Sequence, residues 1–448
     1  MRRVGLVVVS LAVLICLAAI HGTVIAATGF TTRVSVASDG AQANQSSDDL
    51  SLSGDGRYVA FESGASNLVV GDTNGKSDIF LRDRQTGQTS RISVDSQGRQ
   101  ANGDSHSTSI SDDGRYVAFE SEADNLVMND NNNVSDIFVH DSETGITIRV
   151  SVDSIGNEGN DESEYPSISS DGYYIAFKSA ADNLVMNDNN DTGDIFVHDS
   201  QTGQTNRVSV ASSGKEGNNE SKYPAISGDG RYVAFLSFAS NLVDNDTNGV
   251  WDVFVRDRQM GETKRVSVNS NGSQLCGTYR LGDSVMSDDG RFIVFVTTAN
   301  IPMEGDINYD HDVYVHDQVT GETKLVSVAS DGTIGNSFSY SPSISADGNL
   351  VAFISDASNL VSADTNQRMD AFIHDRVSGE TKRVSIASDG TEGNDHSYLT
   401  TISADGISVA FLSTASNLVL GDTNKVQDVF VHYFGGSNFY LPIIVISH

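Results

Sequence analysis

The chain has only two cysteines, five prolines and one tryptophan among 448 residues. One cysteine, Cys16, lies inside an apolar N-terminal run, so Cys276 stands alone in the remainder. No intramolecular disulfide can brace such a chain, and its stability must come from packing or bound ions. Basic residues are scarce as well: 28 Lys and Arg stand against 60 Asp and Glu, a net charge of 28 − 60 = −32. A field of that sign repels phosphate backbones and anionic headgroups, which excludes non-specific nucleic-acid binding and leaves cations as natural partners. Beyond the first segment no apolar run reaches the roughly 17 residues that span a bilayer, and no helical period appears. A Gly-x-Ser-x-Gly elbow, a His-Glu-x-x-His pair and a phosphate loop are all missing, so enzyme activity is not expected.

The ends carry their own signals. Met1, Arg2 and Arg3, an apolar run over 4–20 and small residues around Val24 and Ala26 make a signal peptide of residues 1–26, with a retained anchor as the alternative. Ile15 is too large for lipoprotein-type processing at Cys16. The mature chain is expected to be secreted, on the cell surface or periplasmic. Residues 435–448 form a short apolar tail that could pack on the body or act as an export tag.

An Asp-Gly pair recurs at Asp55, Asp113, Asp171, Asp229, Asp289, Asp347 and Asp405, at intervals of 58, 58, 58, 60, 58 and 58 residues. Each unit holds four short runs rich in Val, Ile, Phe and Tyr, which the fourth unit places at 225–227 (A), 231–237 (B), 252–257 (C) and 264–268 (D). Seven such units can stack in a line or close in a ring, and the ends decide between these. The mature chain opens on TTRVSVASDG, matching the strand D segment TKRVSIASDG of 381–390, whereas the last unit stops after strand C at Val431, His432 and Tyr433. The N-terminal strand therefore completes the last unit. This predicts an all-β, seven-bladed propeller of four-stranded blades over residues 27–434, monomeric and without open sheet edges.

The strings SDDGRYVAFES (111–121) and SADGNLVAFIS (345–355), followed by DIFVHD or DVFVRD, resemble the propeller repeats of TolB-type proteins, a WD-repeat-like family. The likeness covers all seven units and implies a propeller fold; such repeats occur in envelope complexes, beside peptidases and in other exported proteins. In two respects the chain departs from the family pattern. The proline usual before Asp-Gly is replaced by Asp, Gly, Ser or Ala, and the period is longer than a minimal blade needs.

In an up-and-down blade the A–B and C–D turns share one face, and here both are tight. The B–C and D–A segments share the other face, take about a dozen residues each, and are rich in Asn, Asp, Ser and Gly, so binding is expected there. Every B–C segment carries Asp-x-Asn-x-x-x-Asp: Asp72, Asn74, Asp78; Asp130, Asn132, Asp136; Asp188, Asn190, Asp194; Asp246, Asn248, Asp252; Asp306, Asn308, Asp312; Asp364, Asn366, Asp370; and Asp422, Asn424, Asp428. Two readings fit this spacing. Carboxylate and amide oxygens at alternate positions suit Ca²⁺, which needs six to eight oxygen ligands. The other is an Asx-turn loop whose last Asp ties down the start of strand C.

His140, His198, His316, His374 and His432 occupy one template position, with Arg82 and Arg256 in the other two units, and read as the exposed face of strand C. Asn44, Asn102, Asn160, Asn218, Asn336 and Asn394 read as caps or a polar channel rim. The fifth unit breaks the symmetry with two extra residues and places Cys276, Tyr279 and Arg280 where a specific partner contact is expected. The resulting expectation is an exported binding or scaffold propeller that offers its long-loop face to a protein or glycan. Two alternatives are a propeller-fold hydrolase or lyase using channel-rim residues, and a TolB-like envelope component.

Overall fold

Every regular element among the described residues is a strand, and the 28 strands sort into seven four-stranded antiparallel sheets. The computed structural model describes residues 29–275, 279–298 and 310–435, without the side chains of 276–284. The signal segment, Cys276, Asp306, Asn308 and residues 436–448 lie outside the described residues. In blade 4 the strands are Ser221–Ile226 (A), Tyr232–Ser237 (B), Asp252–Asp257 (C) and Glu262–Arg265 (D). Blade 7 joins Ser397–Ile402, Ser408–Ser413 and Asp428–Tyr433 to the N-terminal strand Phe30–Arg33. That strand pairs Phe30 with Tyr433 and Arg33 with Phe430, so the first and last parts of the chain share one sheet.

Strands B and C carry nearly continuous apolar runs because both of their faces are covered, one by each neighbouring blade. In blade 1 the buried Phe61 and Phe80 rings lie 5.8 Å apart, and a matching aromatic pair recurs in every other blade. The same double coverage corrects the reading of the histidine row. His140, His198, His316 and His374 are 6% exposed and His432 only 1%. The His140 ring shares a 2.9 Å hydrogen bond through Nδ1 with Thr147 Oγ1, and that hydroxyl donates to the Val94 carbonyl of the preceding segment. A strand whose two faces both meet neighbouring sheets has no solvent side.

The A strands of successive blades neighbour one another all the way round, blade 7 meeting blade 1. At the A–B turns the main chain itself closes a ring. Gly54 N–H donates to the Asp112 carbonyl (3.0 Å), and equivalent bonds run from Asp112 to Ser170, Ser170 to Gly228, Gly228 to Asp288, Asp288 to Ala346 and Ala346 to Ala404. Asp405 N–H to the Gly54 carbonyl (3.3 Å) completes the circle. The first six donors stand where the TolB-type pattern has proline. A proline there has no N–H to donate, which gives the sequence departure a physical reason. One step along strand A, Ile110 N–H donates to Ser51 Oγ of the preceding blade (3.2 Å), and Ile168, Ile226 and Ile402 repeat the bond to Ser109, Ser167 and Ser343. The small residues of strand A thus serve the seams between blades.

Ala346→Pro removes one donor from this ring and leaves the Ala404 carbonyl unmatched. A loss of about 1–3 kcal/mol is expected, read as a lowered melting temperature, whereas Ala346→Ser, which mimics Ser170, should match the parent.

Candidate functional site at the loop-face channel mouth

In six of the seven blades the B–C loop already holds a cation. In blade 2 Arg149, from the end of strand D, lies 3.2 Å from Asp130 and 3.0 Å from Asp136, the first and last aspartates of the motif. Arg91, Arg207, Arg265, Arg383 and Arg33 bridge the corresponding pairs Asp72 and Asp78, Asp188 and Asp194, Asp246 and Asp252, Asp364 and Asp370, and Asp422 and Asp428 at 2.8–3.7 Å. The motif asparagine completes the loop: Asn132 Nδ2 donates to Asp136 (2.9 Å) and to the Gly159 carbonyl (3.0 Å), while its Oδ1 accepts from Val134 N–H in an Asx turn. Asn74, Asn190, Asn248, Asn366 and Asn424 make the same bond to their own last aspartate. The inner oxygen of that aspartate accepts the strand D serine, as in Ser151 to Asp136.

A calcium ion on these oxygens would sit at 2.3–2.6 Å, in the space the guanidinium holds. Among the described residues no group of three or more His, Cys, Asp or Glu is arranged to hold a metal ion. Burial still pushes the Asp130 and Asp188 carboxyls up to about 6, against the pull of Arg149 and Arg207. In blade 5 the strand D position is Leu325 instead of arginine, paired with Tyr314 of strand C.

The asparagine row is a set of clamps. Asn44 N–H donates to Asn67 Oδ1 (3.0 Å), Asn67 Nδ2 donates to the Gln42 carbonyl (2.8 Å), and Ser66 N–H returns to Asn44 Oδ1 (3.0 Å), tying the D–A segment to the B–C loop. In the fifth unit the two extra residues lengthen strand A to Tyr279–Met286, with a register shift between Tyr279 and Ser284. Tyr279 pairs with Thr297 through its backbone, and the side chains of Tyr279 and Arg280 lie outside the described residues.

Strand A begins earlier than the repeat suggests, at Ser221 in place of 225, and its added first half reaches the loop-face mouth of the channel. Here the blades stop being alike. Position two of strand A reads Asp48, His106, Glu164, Lys222, Tyr340 and Tyr398 in blades 1–4, 6 and 7. The partner position near the end of strand B is charged in blades 1–3, as Glu62, Glu120 and Lys178, but apolar in blades 4–7, as Leu236, Val296, Ile354 and Leu412. A bulge after position two turns Ser107, Tyr165, Tyr223 and Ser341 to positive φ, between 48° and 55°. Non-glycine residues held there cost about 1–3 kcal/mol each and cluster at functional sites.

The contacts in this arc run both between neighbouring blades and within a blade. His106 Nδ1 lies 2.9 Å from Glu62 Oε1, which also accepts Ser77 Oγ; the Glu62 hydrogen bond and charge hold the imidazole up at about 9. Asp49 accepts Thr108 N–H (2.6 Å) and Leu50 N–H (2.9 Å), yet burial, reinforced by Glu62 and Asp48, raises its carboxyl to about 7. Lys178 pairs with Glu164 at 2.5 Å. Farther round, the Tyr165 and Tyr223 rings meet at 4.5 Å, and the Lys222 ammonium lies 4.3 Å from the ring of Trp251, the chain's only tryptophan. Sequence reasoning missed this site because it took the small half of strand A for the whole strand. The available signal was the variation, from unit to unit, of the residues two to three places earlier.

No family model matches the chain, and no curated protein does. Solved structures do match. The oligogalacturonate lyase of Vibrio parahaemolyticus aligns with 91% of this chain and 94% of its own at 15% identity and a TM-score of 0.52. The β-propeller domain of the Trilobed protease from Pyrococcus furiosus aligns over 89% and 99% at 12% identity and a TM-score of 0.51. TolB of Acinetobacter baumannii aligns with 68% of this chain at 19% identity and a TM-score of 0.39, and the chain spans 58% of that protein's length. The chain is a seven-bladed β-propeller. These likenesses extend to the fold and no further.

Removing a loop arginine tests the built-in cation. Arg149→Leu strands two buried carboxylates, and a loss of about 3–5 kcal/mol is expected. Part of it should return in millimolar calcium, while magnesium restores less; equal melting temperatures for parent and variant would show that the ion pair carries no stability. A second outcome concerns Asp49. A carboxyl raised in the folded state contributes stability that is complete below its unfolded value near 4 and is lost as pH rises through about 7. Asp49→Asn should therefore gain stability relative to the parent between pH 5 and pH 8 in paired thermal melts, and a constant gap would contradict this.

Proposed function

We propose that this protein is an exported binding propeller that takes a neutral or amino-sugar glycan across the loop-face mouth over blades 1–4. The observation that carries the reading is the aromatic step of Tyr165, Tyr223 and Trp251 set beside the carboxylates of Asp48, Glu62, Glu120 and Glu164. Ring faces offer flat apolar contact to the C–H side of a sugar, and carboxylates accept its hydroxyls. Lys222 and Lys178 hold these groups in place, and the strained bulges fix the direction of Tyr165 and Tyr223. A rigid ring with an irregular rim is the usual support for such a surface.

A lyase or hydrolase is the second reading, favoured by Asp49, raised to about 7 beside the His106 and Glu62 pair. Charge weighs against a uronide substrate. Five carboxylates, Asp48, Asp49, Glu62, Glu120 and Glu164, outnumber the three cations His106, Lys178 and Lys222 in the arc.

Calorimetric titration with neutral, amino-sugar and uronic oligosaccharides separates these readings. Saturable binding of a neutral or amino-sugar member is expected, with Trp251→Ala weakening it at least about tenfold, or 1.4 kcal/mol. Binding restricted to uronides, with an unsaturated product in ultraviolet absorbance, would favour the lyase. No binding by any member would remove the glycan reading.

A further inference from the structure

Around the plain face each blade seats a side chain on its neighbour. The first residue of strand B packs against the glycine of the next blade's Asp-Gly turn: Tyr58 on Gly114, Tyr116 on Gly172, Tyr174 on Gly230, Tyr232 on Gly290, Phe292 on Gly348 and Leu350 on Gly406. Those glycines have positive φ, and a Cβ on any of them would run into the seated side chain. At the seam that joins blade 7 to blade 1 the seat belongs to Ser408, facing Gly56. One hydroxymethyl stands where the other seams have a ring or a leucine.

The rest of the seat is still built for a ring. In two seams an arginine following strand C of the next blade reaches over the seated ring: Arg258 lies 4.8 Å from the Tyr174 centroid and Arg376 lies 4.3 Å from that of Phe292. Each also donates to the carbonyl of its own blade's turn glycine, Gly230 and Gly348. Arg84 occupies the same position in blade 1 and makes the same bond to the Gly56 carbonyl. Below it, in place of a ring, is a cavity of about 210 Å³ walled by Ser408, Phe30, Tyr433, Arg82, Arg84 and Asp55. The Phe30 and Tyr433 rings lie 5.2 Å apart, tilted at 45°. Neither Arg82 nor Arg84 forms an ion pair among the described residues, although Arg57 in the same wall is taken up by Asp83 at 2.7 Å. Asp55 is the one carboxylate in this wall, and it acts on Arg84 at a distance, without an ion pair to either arginine among the described residues. Burial weakens their hold on the proton, bringing Arg84 down to about 10 against the pull of Tyr433 and Asp55, and lowering Arg82 against that of Asp83.

We infer that the seam between blades 7 and 1 is a binding site for a single-ring aromatic acid, its ring in the vacant seat under Arg84 and its carboxylate neutralising the Arg82 and Arg84 pair. The ring would supply the contact that Tyr174 and Phe292 give internally, and a guanidinium over an aromatic face is favourable on its own account. The anion would supply the direct ion pair that neither Asp55 nor Asp83 makes with these two arginines. This site lies on the face opposite the glycan arc and does not depend on it.

Titration of the full chain with 4-hydroxybenzoate by calorimetry tests the inference. One-to-one saturable binding is expected, with cyclohexanecarboxylate, which keeps the charge and loses the flat ring, at least tenfold weaker, and benzylamine, which keeps the ring and reverses the charge, not binding. Ser408→Tyr fills the seat with this chain's own side chain; it should abolish binding and raise the melting temperature. Arg84→Gln should weaken binding at least tenfold, which keeps the test open should Ser408→Tyr fail to fold. Absence of saturable binding to the parent, equal affinity for the cyclohexane acid, or undiminished binding by Arg84→Gln would overturn the assignment.

Discussion

The structure depends on the seam between blades. A four-stranded sheet of this size cannot bury both faces alone, and only stacking against two neighbours covers strands B and C. Each seam has a main-chain bond between A–B turns and a side chain seated on the next turn glycine, and four seams add an isoleucine N–H to serine Oγ bond along strand A. Because the ring must close after seven steps, an error in one seam cannot be relaxed at a free end. The circle of N–H to carbonyl bonds from Gly54 to Asp405 expresses this constraint at single-atom scale. The N-terminal strand contributes to the same closure, for Arg33 supplies the cation of the last loop.

Residues that serve the seam are uniform, and residues released from it vary. Strand A shows both regimes within six residues. Its second half faces the serine and isoleucine bonds and hardly changes, whereas its first half reads Asp, His, Glu, Lys and Tyr round the mouth. The end of strand B follows the same rule, charged in three blades and apolar in four. Ser408 breaks uniformity inside a seam, which is why it leaves a cavity instead of another rim contact. The large negative charge is likewise organised locally. Six loop arginines each answer two or three carboxylates, so the acidic loops need not repel one another at close range.

Much of this was legible in the chain as written. The repeat of Asp-Gly at 58 residues, the four apolar runs per unit and the match between 31–40 and 381–390 carry the fold, because period and strand count leave few ways to cover the sheets. The loop motif was legible as a place where carboxylates converge. Its counter-cation was not, since Arg149 stands 13 residues beyond Asp136 in another strand and only the hairpin brings them together. The histidine row was misplaced because a polar residue near the end of strand C was read as solvent-facing, although the nearly continuous apolar run before it marks a strand covered on both faces.

The sequence by itself determined the number of blades, the closure by the N-terminal strand, and which face bears the long loops, since these follow from local periodicity and from turn chemistry that acts over a few residues. Only the tertiary structure decided which charges meet and which seats stay empty. Glu62 with His106, Tyr165 with Tyr223, and Ser408 beneath Arg84 are separated by 44, 58 and 324 residues, and each pair faces another blade across a seam. Contacts between blades depend on the rotation from one sheet to the next. That rotation is a property of the closed ring, and no single repeat contains it.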